Sequence, residues 1–198
     1  MPRQVDHAER RRVVAGAVCR LADERGLEGV TLRDVADRAG VSMGAVQRCF
    51  GTKEEMLVFT LGLIGERIGE RARARLVRSP AQSAATAVGH AAVEVALLEE
   101  EHRAEARVWL AFVAQAAVSE PLAATLRENY AALQGSFTRL LAEAGTGADA
   151  EREAHALLAL ADGLTAHVLV GHLTAARARD VLDAHLRQLW ARVSPGTA

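Results

Sequence analysis

The segment Thr31–Lys53, TLRDVADRAGVSMGAVQRCFGTK, reads as two short helices joined at a sharp turn. Thr31 can cap a helix over Leu32–Ala39, and Asp34 stands three residues on, the capping-box spacing. Gly40 offers the left-handed backbone position that ends such a helix. Val41 can pack into the angle between the helices, and Ser42 can cap the second, Met43–Phe50. A helix held this way can enter a DNA major groove while its neighbour braces it against the backbone. Gln47 and Arg48 fall on its outer side, where they can read base edges or grip phosphates.

The rest of the chain agrees with an all-helical setting. Half of its 198 residues are apolar but only 4% are aromatic, so packing relies on Ala, Leu and Val. Alanine is the best helix former, whereas strands favour β-branched and aromatic residues. Pro2, Pro80, Pro121 and Pro195 all lie at a terminus or beside a helix start. The net charge of -1 hides an asymmetry: residues 1–80 hold 15 Arg and Lys against 11 Asp and Glu, and residues 81–198 hold 9 against 14. A positive half suits a polyanionic partner, and it is the half that carries the turn motif.

Helical periodicity divides the chain into about nine helices. The first covers about Ala8–Arg25 with an apolar stripe of Val14, Ala17, Val18, Leu21 and Ala22, and ends at Gly26. Thr52 with Glu55 repeats the capping box and opens a fourth helix that reaches Leu76 or Val77, too long to pack on a three-helix head alone. Ser79-Pro80-Ala81-Gln82 has the form of another helix start, giving a fifth helix over about Ala81–Glu100. Helices over about Arg103–Val118, from Ser119 to Gly145, Ala150–Leu173 and Arg177–Arg192 complete the set. The expected organisation is a helix-turn-helix domain over 1–52, a shared connecting helix over 53–78, and a ligand-binding and dimerisation bundle over 79–198.

Thr31, Arg33 and Ser42 lie at helix starts, where side chains and backbone can meet a phosphate. Met43, Ala45, Gln47 and Arg48 belong to the helix offered to the groove, with glutamine suited to adenine and arginine to guanine. Lys53 sits in the first turn of the fourth helix, a poor place for a cation unless an anion lies nearby. Arg10, Arg11 and Arg12 form a basic cluster aimed at flanking backbone or, equally, a solvated helix start.

At these positions the chain resembles the TetR/AcrR family of one-component bacterial transcriptional regulators. The residues that carry the resemblance are Thr31, Val35, Ala36, Ala39, Gly40, Val41, Ser42, Gly44, Val46, Phe50, Lys53, Glu54, Met56 and Leu57. Gln47 departs from the family's usual tyrosine, which grips a phosphate, and Cys49 from its common Tyr or His. The resemblance implies a homodimer on a palindromic double-stranded DNA operator, usually a repressor released by a small molecule. Val108–Phe112 and Leu160–Leu164 resemble a subgroup that includes the regulator of choline-to-betaine genes. Choline would require an aromatic cage around its ammonium. Trp109, Phe112, Tyr130 and Phe137 could supply one, or could be a core stripe.

Within the second domain, an apolar pocket with a few polar groups is expected from Trp109, Phe112, Gln115, Tyr130, Gln134, Asp162, Thr165 and His167. The last two helices are apolar beyond one face, and Leu169, Val170, Leu173, Leu182, Leu186 and Leu189 could form a two-fold four-helix interface. Gly163 and Gly171 would permit close helix approach there, or would simply fit tight packing within one subunit. Cys19 and Cys49 are too few for a zinc cluster or disulfide framework. No metal-ligand His pair, phosphate-binding glycine loop or nucleophile elbow occurs, so neither catalysis nor a cofactor is expected. The charged opening and the lack of a long apolar run point to a cytoplasmic protein with no membrane partner. Two other readings stay open: a helical dimerisation or scaffold protein that has lost DNA binding, and an effector-independent activator.

Overall fold

The computed structural model describes residues 2–78 and 83–193, with side chains over 7–75 and 83–193. Every regular element in them is helical, and nine α-helices occur among the described residues. They are α1 (Pro2–Arg25), α2 (Leu32–Ala39), α3 (Met43–Cys49), α4 (Lys53–Arg78) and α5 (Ala84–Val95). There follow α6 (Arg103–Ala116), α7 (Glu120–Glu143), α8 (Ala150–Leu169) and α9 (Ala175–Val193). Among the described residues no helix is long and apolar enough to cross a membrane.

The chain forms two compact units. The first holds the described residues of 1–65 and 107–128, and the second those of 66–106 and 129–198. The expected boundaries follow the chain order. Packing adds the second part of α6 and the first part of α7 to the head, and α4 runs through both units.

In the first unit, Val14, Ala15, Ala17, Val18, Leu21 and Ala22 bury one stripe of α1. It packs on α2 and α3, whose Val35, Ala36, Val46 and neighbouring Phe50 are equally buried. In the second unit α5, α8 and α9 pack on one another through Val88, Leu157, Leu182 and other buried aliphatics.

Several boundaries differ from the periodicity. α1 begins six residues before Ala8, at Pro2, whose fixed φ and missing N–H suit a first helical position. The expected start at Ser79–Gln82 lies outside the described residues. α5 is capped instead by Ser83, whose Oγ accepts from the Thr86 amide at 3.3 Å. α5 also stops at Val95 rather than Glu100, because Leu97 adopts φ 48° and turns the chain out of the helix. α8 ends at Leu169, four residues early: Gly171 has φ 75°, and the His172 and Leu173 amides both donate to the His167 carbonyl. Gly171 therefore supplies the left-handed position that ends this helix.

Candidate nucleic-acid interface

Local hydrogen bonds build the turn motif as its sequence suggests. Thr31 Oγ1 accepts from the Asp34 amide at 3.1 Å and donates to Asp34 Oδ2 at 2.6 Å. Gly40 has φ 67° and its amide donates to Asp37 O, while Val41 N reaches Ala36 O. Ser42 Oγ accepts from the Ala45 amide at 3.2 Å. The two hydroxyls are left in different states. The Thr31 proton is committed to a carboxylate, whereas Ser42 keeps its proton to donate outward.

α3 has one inward and one outward face. Ala45, Val46 and Cys49 are buried, and Met43, Gln47 and Arg48 are exposed. Ala45, at 8% exposure, packs within the motif. Arg48 leans back along the helix, its Nη1 3.5 Å from where a Cβ on Gly44 would stand. Arg33 on α2 is also exposed.

The basic cluster on α1 divides. Arg11 turns inward: its guanidinium carbon lies 4.6 Å from the Phe50 ring centroid and 4.3 Å from that of Phe59, with Glu55 at 3.6 Å. A cation held by two rings and a carboxylate is spent on structure, so Arg11 leaves the expected phosphate set. Arg12 is exposed beside Glu9, and Arg10 is half-buried. Lys53 is placed differently from expectation as well. Its ammonium donates to the carbonyls of Leu27 at 3.2 Å and Glu28 at 3.4 Å, so these backbone dipoles supply the negative partner that its helix start lacks. A third N–H remains.

Long-range contacts that sequence reasoning missed hold the head rigid. Arg38 grips both carboxylate oxygens of Glu24, at 2.6 and 2.7 Å, joining α2 to α1. That bond holds the Glu24 carboxyl below its usual range. Arg107 Nε reaches Asp23 at 2.5 Å. His7 Nε2 lies 3.4 Å from the Arg48 carbonyl. No spacing rule links partners 14, 84 or 41 positions apart.

The expected pocket residues are divided between the two units. Trp109, Phe112 and Gln115 belong to the first unit, with Trp109 and Phe112 buried, and the other five to the second. Tyr130 donates to the Asp162 carboxylate. Burial, then that bond, keep the Tyr130 phenol protonated far above its ordinary range. Thr165 is buried with its hydroxyl on the Ala96 and Ala161 carbonyls. Gln134 reaches Glu151, and His167 is exposed with its ring against His172. Of the expected interface residues, Leu182, Leu186 and Leu189 are 0–6% exposed within a single chain. Side chains already in the subunit core have no surface left for a second subunit. Val170 remains exposed at 79%, together with Val181 at 38%.

Comparison with known proteins agrees with the motif and extends past it. Residues 16–58 match the family described as bacterial regulatory proteins, tetR family. Residues 84–191 match the BetI-type transcriptional repressor C-terminal family. The chain is 33% identical to the HTH-type transcriptional regulator PksA of Bacillus subtilis over 175 residues, 86% of this chain and 83% of that one. It is 30% identical to the HTH-type transcriptional regulator BetI of Paraburkholderia phytofirmans, covering 83% and 84%. The crystal structure of a transcriptional regulator from Rhodococcus sp. Rha1 superposes with a TM-score of 0.79 at 32% identity, over 94% of this chain and 96% of that one.

Proposed function

This chain belongs to the TetR family, with a C-terminal domain of the BetI type, and from that premise we propose that it is a ligand-responsive transcriptional repressor. It binds a palindromic operator as a homodimer and leaves it when a small molecule occupies the second unit.

One observation carries the reading. α3 offers Gln47 and Arg48 on an exposed face whose reverse is anchored by Ala45, Val46 and Cys49. A side chain can discriminate bases only when its helix cannot roll or slide. In a major groove, Gln47 matches the paired donor and acceptor of adenine and Arg48 the paired acceptors of guanine. Met43 offers an apolar tip to a thymine methyl. Around them Ser42, Arg12 and Arg33 can meet phosphates, with the third N–H of Lys53.

Two copies would hold their recognition helices about 34–36 Å apart, or at a multiple of one DNA turn. Since α4 belongs to both units, a ligand that tilts it changes that spacing. A coupling of about 2–3 kcal/mol alters operator affinity by roughly two orders of magnitude.

A gel shift against the intergenic DNA beside the protein's own gene tests the reading. Arg48→Ala should weaken operator binding by about 1–3 kcal/mol and relax preference at one base pair. Equal loss on operator and random DNA would reduce Arg48 to a backbone contact. No preference for any DNA at low salt would leave a scaffold that has lost its original ligand, as the absence of the family tyrosine at Gln47 would allow.

A further inference from the structure

We propose that a cleft in the second unit, between the segment joining α5 to α6 and the turn from α8 into α9, binds a small neutral amphiphile. The inference rests on the ligand-responsive reading above and names the site and chemistry that reading leaves open.

The cleft has a volume of about 340 Å³, within the range of small-molecule sites. At the ~30 Å³ that a water occupies, it holds a molecule of roughly ten heavy atoms. Leu97, Leu98, Ala106, Val168, Leu169 and Leu173 make its walls. Thr165 also lines it, but its hydroxyl is already committed to the Ala96 and Ala161 carbonyls and offers no donor there. The body of the occupant is therefore aliphatic.

Polar groups of the lining are Glu99, Glu100, Arg103 and Thr174. Their charges are matched from within the protein: Arg179 donates to Glu99, and Arg103 Nη1 lies 3.4 Å from Glu100. A cationic or anionic headgroup would meet charges that already cancel, and would gain little there for the water it gives up. A hydroxyl or carbonyl headgroup gives up less, and the Thr174 hydroxyl, which accepts from the Arg177 amide, keeps its proton to donate to it. Leu97 is the only described non-glycine residue with positive φ, at 48°. Its side chain is 3% exposed and forms part of the wall. Backbone strain kept at such a position is commonly found at ligand-binding sites.

The test uses the full chain and three probes that share an unbranched aliphatic chain and differ in headgroup: 1-octanol, octanoate and octylammonium, with binding measured by calorimetry. 1-Octanol should bind at least fivefold more tightly than either charged probe. Ala175→Trp fills the cleft from the exposed start of α9 and should abolish that binding. Leu173→Ala enlarges the cleft and should shift preference toward 1-decanol. Equal or tighter binding of a charged probe overturns the proposal. So does failure of 1-octanol to bind, or wild-type binding in the helical, folded Ala175→Trp variant. Operator affinity with and without saturating 1-octanol addresses the separate question. If octanol occupies the cleft and operator affinity does not change, the site stands and the ligand-responsive reading falls.

Discussion

Arg11 on α1 stacks over Phe50, the residue that caps the C-terminus of α3, with 4.6 Å between its guanidinium carbon and the ring centroid. Phe59 of α4 lies on the same guanidinium at 4.3 Å, and Glu55 completes the cluster at 3.6 Å. One cation thus joins α1, the end of α3 and the start of α4, and fixes how α3 stands out from the head.

Arg11→Ala should lower the stability of the folded chain by about 1–2 kcal/mol, the range for a desolvated cation–π contact. Urea unfolding measures that loss. The salt dependence of DNA binding should keep its slope, because a residue that never touches phosphate releases no counterion. A slope reduced by about one at unchanged stability would return Arg11 to the phosphate contacts.

Lys53→Met retains the aliphatic stem and removes both the charge and the two bonds to the carbonyls of Leu27 and Glu28. Stability should fall by about 1 kcal/mol, as for loss of one modest hydrogen-bonded anchor. If the remaining N–H meets a phosphate, the salt slope should also fall by about one. Urea midpoints and binding isotherms at several salt concentrations separate the two roles. An unchanged midpoint would mean that the carbonyl contacts contribute nothing.

Much of the head was legible because its signals are local. A cap acts over three residues, so Thr31, Ser42 and Thr52 could be identified from their neighbours, and the Glu55 amide does donate to Thr52 Oγ1 at 3.0 Å. The left-handed Gly40 follows from the same short-range logic. Arg11 could not be found that way, since its partners stand 39 to 48 positions away and cation–π contacts leave no periodic trace. Leu182, Leu186 and Leu189 show a different limit. A helix stripe records that a face is buried, but it does not say whether its own subunit or a second copy covers it. Leu97 lacked any signal, since leucine is not a residue that announces positive φ.

Tyr130 is the sole tyrosine of the chain, so phenolate absorbance reports on it alone. Burial, then its bond to Asp162, raise its folded pKa above the unfolded value of about 10. The folded state therefore holds the proton longer. Its contribution to stability is complete below about pH 10 and is lost as the pH climbs from there toward the folded value. Tyr130→Phe should cost about 1–2 kcal/mol at neutral pH and flatten that alkaline fall. Urea unfolding at pH 7 and above pH 10 checks both. A phenolate that forms near pH 10 in the folded protein would sink the prediction.

The exposed valines give the sharpest test of assembly. Val170 follows the end of α8 and Val181 lies on the outer side of α9, at 79% and 38% exposure. Leu186 lies on the buried side of α9 at 6%. A homodimer built on the exposed surface of these helices must cover the valines, because isolated apolar side chains at an isologous contact meet their own copies or close neighbours. Val170→Asp with Val181→Asp should therefore shift sedimentation from dimer to monomer and weaken operator binding, while leaving helical content and the unfolding midpoint of the monomer nearly unchanged. Leu186→Asp puts an unpaired charge into the subunit core and should unfold the chain outright. If the double valine variant stays dimeric, the contact between copies lies elsewhere. If Leu186→Asp folds and merely dissociates, then Leu186 belongs to the interface after all, and the burial of α9 within one subunit has been misjudged as an obstacle to dimerisation.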